Sequence, residues 1–233
     1  MLLLQTSVRR DTAMKPVVDY RNLRFRTITQ PQYRHLLLLL GWVFYFIMYA
    51  LTERLIPADR CTAVHCFWDD LIPFCEFFVI PYVFWYFLVA GSLLYFLFYD
   101  VDSFKKLSVY ILITQVIAMT VYVLLPSRQD LRPTEFPRDN IFTHMVQFLY
   151  TIDTNTGVCP SLHVGYSLGI ASVWLKKKNA HRWVKSSIVI AVILICMSVA
   201  FIKQHSVLDF FAAIPMCIFA EYFTFYRKNA HLA

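Results

Sequence analysis

The stretch FFVIPYVFWYFLVAGSLLYFLFY, Phe77 to Tyr99, contains no acidic or basic residue. A bilayer core about 30 Å thick requires roughly 20 consecutive apolar residues in a helix, and this stretch is long enough. Hydrophobic residues make up 58% of the chain and aromatic residues 17%, and the mean hydropathy is +0.53. A soluble domain of 233 residues does not bury that much apolar surface. We therefore predict an all-α integral membrane protein.

Five further stretches complete a predicted set of six transmembrane helices. They are Leu36 to Thr52, Leu107 to Ser127, Thr154 to Leu175, Ser186 to Ile202 and Ser206 to Tyr226. The last of them keeps Asp209 and Glu221 near its ends, where a charge costs less than at the bilayer centre. Residues Ile141 to Ile152 are predicted to form a short interfacial helix.

The basic residues predict the orientation. Sixteen of the 22 Lys and Arg residues lie in the N-terminal segment, the 100–106 loop, the 176–185 loop and the C-terminal tail. The positive-inside rule then places both termini in the cytoplasm. We divide the chain into a basic cytoplasmic segment (1–35), a transmembrane domain (36–226) and a cytoplasmic tail (227–233). The net charge of +7 favours anionic headgroups over nucleic acid as its partner, because no basic motif with interleaved aromatic residues accompanies it.

The six cysteines carry little information about function. Cys61 and Cys66 share the first predicted outer loop, where a disulfide is one interpretation and unpaired thiols are the other. No Cys, His or Glu spacing typical of a metal site occurs in the sequence. We therefore predict neither a metal nor a cofactor.

Three polar clusters, far apart in sequence, are predicted to meet at the outer membrane face. They are Arg128 and Arg132 in SRQDLRP, Ser161 and His163 in PSLHV, and Lys203, His205 and Asp209 in KQHSVLD. Taken singly, a loop arginine is more often solvated than functional, and a boundary histidine more often interfacial. His205 and Asp209 differ, because i,i+4 spacing on a helix stacks their side chains. The carboxylate can then hold one imidazole nitrogen and direct the other outward.

Phosphoryl transfer is the chemistry that uses this set of residues. A phosphoryl group spreads its negative charge over several oxygens, which arginine, lysine and hydroxyl groups stabilise. The reaction also requires a nucleophile and a proton donor, and two histidines supply these. Serine proteolysis fits less well, because Ser161 lacks the glycine-flanked turn of a serine nucleophile.

At these residues the chain resembles the type 2 phosphatidic acid phosphatase (lipid phosphate phosphatase) superfamily, which includes vanadium haloperoxidases. The superfamily signatures are a lysine preceding Arg-Pro, then Pro-Ser-Gly-His, then Ser-Arg with a downstream histidine and aspartate. This chain has Arg132-Pro133, Pro160 to His163, and His205 with Asp209. The Pro-Ser-Leu-His variant is similar to inositol phosphorylceramide synthase-like proteins. The resemblance implies a six-helix core of the phosphatidic acid phosphatase type 2/haloperoxidase kind.

The chain departs from these signatures at two cations. Leu125 stands at the position of the first-signature lysine, and Val199 at that of the third-signature arginine. Arg128 and Lys203 are the nearest replacements.

The resemblance also implies a role for each site residue. His205 attacks phosphorus to give a phosphohistidine, Asp209 orients His205, and His163 protonates the leaving alcohol and then activates water. The phosphate oxygens are held by Arg128, Arg132, Ser161 and Lys203. The implied substrate is a lipid phosphate monoester or diphosphate, hydrolysed without metal at the extracytoplasmic face.

Two other functions stay open at this point. A lipid phosphotransferase would pass a phospho-headgroup to an alcohol acceptor through the same histidine. A transporter or non-catalytic scaffold would place charges along the bilayer midplane and break its helices with glycine or proline. Glu76 is either a contact in the same cavity or a structural hydrogen-bond partner, and Arg138 is interpreted as a solvated loop residue.

Overall fold

The computed structural model describes residues 16–227, and most of these are helical. The α-helices are Leu40–Leu55 (α1), Phe67–Leu71 (α2), Val79–Tyr99 (α3), Val101–Leu124 (α4), Ile141–Ile152 (α5), Leu162–Lys176 (α6), Arg182–Phe201 (α7) and Val207–Glu221 (α8). Short 3₁₀ helices lead into α1 (Arg34–Leu39) and α3 (Glu76–Phe78), and a π-helical turn, Tyr222–Tyr226, extends α8. Two short parallel strands, Thr62–Ala63 (β1) and Ser127–Arg128 (β2), form the one sheet in the described residues.

Five of these helical stretches are long and apolar enough to cross a membrane. They are Arg34–Leu55, Glu76–Tyr99, Val101–Leu124, Arg182–Phe201 and Val207–Tyr226. Each overlaps a stretch that the sequence predicted to span the bilayer. The fold is that of an all-α protein with the composition of an integral membrane protein.

The remaining predicted span, Thr154 to Leu175, is helical only in its second part. α6 begins at Leu162 because Ser161 caps it, accepting a hydrogen bond from the Val164 N–H. Its 15 residues extend about 22 Å, which is shorter than a bilayer core. α6 packs against α3, α4, α7 and α8, so it is the central helix of the bundle. Residues 154–161 form a loop at one end of it.

A glycine allows α4 and α6 to approach each other closely. A Cβ atom on Gly169 would lie 2.5 Å from the ring of Tyr110, which is closer than any real contact. By contrast, a Cβ atom on Gly91, in α3, would meet no neighbouring atom within 4 Å. The shared core of α3, α4, α6, α7 and α8 includes Phe96 and Ile170, both fully buried.

The predicted 100–106 loop is absent, which corrects the sequence interpretation. α3 ends at Tyr99 and α4 begins at Val101, so Asp100 alone separates the two helices. The Asp100 carboxylate accepts hydrogen bonds from the N–H and hydroxyl of Ser103, and it forms an ion pair with Lys177. A helix cap thus replaces the loop, because the Asp100 carboxylate satisfies one of the free N–H groups of the first turn.

The described part of the N-terminal segment packs onto this same end of the bundle. The Tyr20 hydroxyl donates to the Leu97 carbonyl at 3.0 Å and lies 2.8 Å from Nε2 of the buried His35. The predicted segment 1–35 is therefore part of the fold from residue 16 onward. Its first 15 residues, and residues 228–233 of the predicted tail, lie outside the described residues.

The opposite end of the bundle carries the strands, α2 and α5. α5 has the bounds predicted for it, and Asn140 caps it by accepting hydrogen bonds from the N–H groups of Phe142 and Thr143. Cys61 and Cys66 are both free thiols here, so the disulfide interpretation is not the one that the structure shows.

Candidate active site

His205 and Asp209 form a buried pair at the turn between α7 and α8. The His205 Nδ1 atom lies 3.0 Å from Asp209 Oδ2, and the Asp209 side chain is fully buried. An ionised carboxylate only accepts hydrogen bonds, so this contact assigns the proton of a neutral His205 ring to Nδ1 and leaves the lone pair on Nε2. The Ser206 N–H donates to the same carboxylate oxygen at 3.1 Å. This is the orientation that a nucleophilic histidine requires.

His163 lies directly beside this pair. Its ring centroid is 5.5 Å from that of His205, with an angle of 64° between the ring planes. Tyr82 and Trp85 pack against the His163 ring at 4.6 and 4.2 Å between centroids. His163 Nε2 is buried and has no hydrogen-bond partner. The structure therefore brings the two predicted histidines together, although 42 residues separate them.

The two imidazoles border a cavity of about 540 Å³ between α1, α3, α6 and the 152–158 loop. The residues lining it are Trp42, Tyr45, Phe46, Tyr49, Trp85, Tyr86, Val89, Ala90, Leu93, Tyr122, Ile152, Asp153, Thr154, Thr156, Gly157, Val158, Leu162, His163, Tyr166, Gln204 and His205. The volume lies within the range of small-molecule sites. Among the described residues, no lysine or arginine lines this cavity.

Ser161 has a structural position beside the site. It is fully buried, caps α6, and donates its N–H to the Asp209 carbonyl at 3.1 Å. The preceding carbonyl, that of Pro160, accepts a hydrogen bond from the Tyr122 hydroxyl at 2.7 Å. The first contact ties the start of α6 to the first turn of α8, and the second ties it to α4. Together they position His163 relative to His205.

Arg132 supports the cavity wall from behind. Its guanidinium donates to the carbonyl oxygens of Tyr150, Asp153 and Thr154 at 3.1, 2.7 and 3.0 Å. It also lies over the Tyr150 ring, 4.5 Å from the centroid. Arg132 does not line the cavity itself, but it fixes the backbone of two residues that do.

Arg128 and Lys203 also bind protein groups. Arg128 forms an ion pair with Asp130 at 3.0 Å and donates to the Ala58 carbonyl at 2.8 Å. Lys203 has a left-handed backbone, with a φ of 56°, and its Nζ donates to the Asp69 carbonyl at 2.7 Å. Burial lowers the pKa of Lys203, against the opposing effect of the Asp69 charge. The predicted phosphate clamp of Arg128, Arg132 and Lys203 is thus absent from the cavity wall.

The sequence interpretation missed two polar residues of the cavity. Asp153 Oδ2 accepts hydrogen bonds from the Tyr82 hydroxyl at 2.7 Å and from Gln204 Nε2 at 3.0 Å. Gln204 directly precedes His205 in the sequence, and this adjacency was the one feature that could have indicated a position in the cavity wall. Nothing local marked Asp153, because its partners are 71 and 51 residues away.

Glu76 and Arg138 form a structural pair outside the cavity. Glu76 Oε1 accepts from the Asn140 side chain at 3.0 Å and lies 3.1 Å from Arg138 Nε. Glu76 is fully buried, and it therefore acts as a structural hydrogen-bond partner and not as a contact in the cavity. The Arg138 side chain is 58% exposed, in agreement with its interpretation as a solvated loop residue, and it also pairs with this carboxylate.

Within residues 16–227, no group of three or more His, Cys, Asp and Glu side chains is placed to hold a metal ion. No family model, curated protein or solved structure matches this chain. The geometry of the site is therefore the basis for assigning a function.

Proposed function

We propose that this chain is an integral membrane enzyme that transfers the phosphoryl group of a lipid phosphoester through a phosphohistidine at His205. The observation that carries the proposal is the His205–Asp209 pair, which lies beside His163 at the wall of one cavity. The positive-inside count favours an extracytoplasmic site with both termini in the cytoplasm. The lipid tails then stay in the bilayer while the headgroup reacts.

In the first step, the lone pair of His205 Nε2 attacks phosphorus. A nitrogen–phosphorus bond forms, and the bond from phosphorus to the lipid oxygen breaks. His163 gives its proton to that oxygen, which leaves as the lipid alcohol. Asp209 accepts the Nδ1–H hydrogen bond and stabilises the positive charge that develops on the His205 ring.

In the second step, an acceptor hydroxyl attacks the phosphohistidine. Its proton passes to His163, its oxygen bonds to phosphorus, and the nitrogen–phosphorus bond breaks. His205 returns to its neutral form with Nδ1 still protonated. Water as the acceptor makes the enzyme a phosphatase, whereas an alcohol makes it a phosphotransferase.

The charge of the cavity wall favours the phosphotransferase, the second candidate function. A phosphomonoester or diphosphate carries two or more negative charges, which enzymes balance with arginine, lysine or metal ions. A phosphodiester carries only one negative charge and therefore requires fewer cationic partners. Since no lysine or arginine of the described residues lines the cavity, a phosphodiester donor fits it better. Hydrolysis of a lipid monophosphate requires Arg132 to turn toward the ligand.

Purified protein, reconstituted in vesicles, tests the proposal. Phosphatidate and diacyl phosphodiesters labelled at phosphorus are supplied with and without a long-chain alcohol acceptor, and products are identified by mass spectrometry. We expect acid-labile label on His205, loss of turnover in His205→Ala, and normal turnover in His144→Ala, whose side chain is 64% exposed on α5. Wild-type turnover by folded His205→Ala protein would refute the proposal.

A further inference from the structure

Aromatic rings dominate the cavity wall. α1 contributes Trp42, Phe46 and two tyrosines, Tyr45 and Tyr49, while α3 contributes Trp85 and Tyr86. Tyr122 and Tyr166 complete the set. The face of an aromatic ring carries negative partial charge, so it attracts a cation that has little hydration.

The formal charges on this wall point the same way. Asp153 is its one acidic residue, and among the described residues no lysine or arginine faces it across the cavity. The nearest guanidinium, that of Arg132, directs its donors to the Asp153 and Thr154 carbonyls. The site therefore combines aromatic rings, one carboxylate and two imidazoles, and Tyr82 and Gln204 link the carboxylate to the histidines.

We propose that the headgroup bound here is a phosphodiester that ends in a quaternary ammonium group, as in choline phospholipids. This inference rests on the proposed function, because the imidazoles receive the phosphate. The rings of Trp42, Tyr45 and Tyr49, which lie along one face of α1, contact the ammonium group, and Asp153 balances its charge. Quaternary ammonium groups donate no hydrogen bonds, so aromatic faces and one carboxylate are sufficient to bind them.

Other occupants fit the cavity less well. An anionic headgroup would be repelled by Asp153, and an acyl chain would cover the Asp153 charge with apolar groups and provide no cation to balance it. A separate groove of about 370 Å³ between α1 and α4 has no charged residue in its lining. That groove, bordered by Phe44, Met48 and Leu112, suits a lipid tail.

Binding tests the inference without turnover. Isothermal titration calorimetry on full-length His205→Ala protein in detergent compares dihexanoyl phosphatidylcholine with dihexanoyl phosphatidylglycerol, which has the same tails and phosphodiester but no cation. We expect the choline lipid to bind about tenfold more tightly, a ratio within the range of cation–π contacts. Equal binding, or tighter binding of the glycerol lipid, would overturn the inference.

Substitutions on the same background locate the preference. Asp153→Asn and Trp42→Leu should each reduce the binding ratio about threefold or more, and Trp42→Phe should keep most of it. Asp139→Asn and Trp183→Leu are the matched controls, because both side chains are largely exposed and outside the cavity. A ratio unchanged in both cavity variants would place the ammonium group elsewhere and overturn the inference.

The vesicle assay separates this inference from the proposed function. If wild-type protein turns over phosphatidylglycerol as well as phosphatidylcholine, and calorimetry shows no preference, the headgroup inference fails and the transferase stands. If the choline lipid binds preferentially but no phosphoester is turned over, the proposed function fails.

Discussion

The Asp69 carboxylate accepts a 2.6 Å hydrogen bond from the Ser206 hydroxyl, which ties α2 to the turn that carries His205. The Val207 and Cys66 N–H groups each donate to the same carboxylate at 2.8 Å. Lys203 adds a bond to the Asp69 carbonyl. A helix of five residues, distant in sequence, therefore holds the candidate nucleophile in position.

We expect Asp69→Asn to lower both stability and turnover. Asparagine keeps one acceptor oxygen but places an NH₂ group against the donors of Ser206 or Val207. The free energy of unfolding should fall by about 1–3 kcal/mol, the usual cost of an unsatisfied buried polar group. kcat should fall about tenfold with little change in KM, because His205 moves while the cavity wall remains. Asp70→Asn, at an exposed position on the same helix, is the control, and equal kcat in both variants would contradict this prediction.

Asp69 also predicts a loss of stability in acid. Burial raises its pKa, but hydrogen bonds from Ser206, Val207 and Cys66 outweigh burial and leave the pKa below its ordinary value. A carboxylate with a lowered folded-state pKa stabilises above its unfolded pKa, about 3.9, and loses this contribution as the pH falls through the folded value. The free energy of unfolding, measured by circular dichroism, should therefore fall more steeply between pH 6 and pH 2 for wild-type protein than for Asp69→Asn. Parallel curves for the two proteins would show that Asp69 is not the source of the loss of stability in acid.

Asp209→Asn should reduce turnover by roughly a thousandfold. An amide can hold the His205 ring in the wrong tautomer, and it does not stabilise the imidazolium, as in related His–Asp pairs. Ligand affinity should change little, because Asp209 is fully buried beneath His205 and does not line the cavity. Stopped-flow turnover and calorimetry separate these two quantities, and a loss of affinity equal to the loss of rate would argue against an orienting role.

Arg132→Ala distinguishes a wall support from a phosphate clamp. If Arg132 supports the wall, its replacement by alanine should lower the free energy of unfolding by about 1–3 kcal/mol, since three carbonyls lose a charged donor. Arg132→Lys should recover only part of this, because lysine lacks the planar set of donors. Thermal unfolding in detergent measures both variants, with exposed Arg26→Ala as the control. Unchanged stability combined with loss of turnover would restore the clamp interpretation.

Gly169→Ala should destabilise the bundle, whereas Gly91→Ala should not. The new Cβ at residue 169 overlaps the Tyr110 ring and forces α4 and α6 apart, which should lower the free energy of unfolding by about 1–3 kcal/mol. At residue 91 the methyl group meets no atom within 4 Å, and alanine favours the helix by up to about 1 kcal/mol. Chemical denaturation in mixed micelles compares them, and equal stability of the two variants would contradict the close helix contact.

Local patterns were enough to locate much of the fold and part of the site. Five of the six predicted spans overlap the long apolar helices, and α5 has the predicted bounds because its N-cap, Asn140, is adjacent to it in sequence. His205 and Asp209 were paired from i,i+4 spacing on one helix, and they form a 3.0 Å contact, but His205 lies in the turn before α8 and not on the helix itself. The predicted loop between α3 and α4 was wrong, because Lys105 and Lys106 were assigned to a loop on account of their charge, although α4 accommodates both.

The sequence by itself determined a helical membrane protein and a histidine oriented by a carboxylate, since both follow from the spacing of neighbouring residues. Tertiary structure decided which groups reach the cavity. Arg128, Arg132 and Lys203 could be counted as cations, but they bind backbone carbonyls and, in the case of Arg128, also the Asp130 carboxylate. Asp153 enters the wall through partners on α3 and before α8. Such choices depend on contacts between distant segments, because a charged side chain binds the nearest acceptor that the folded backbone leaves free.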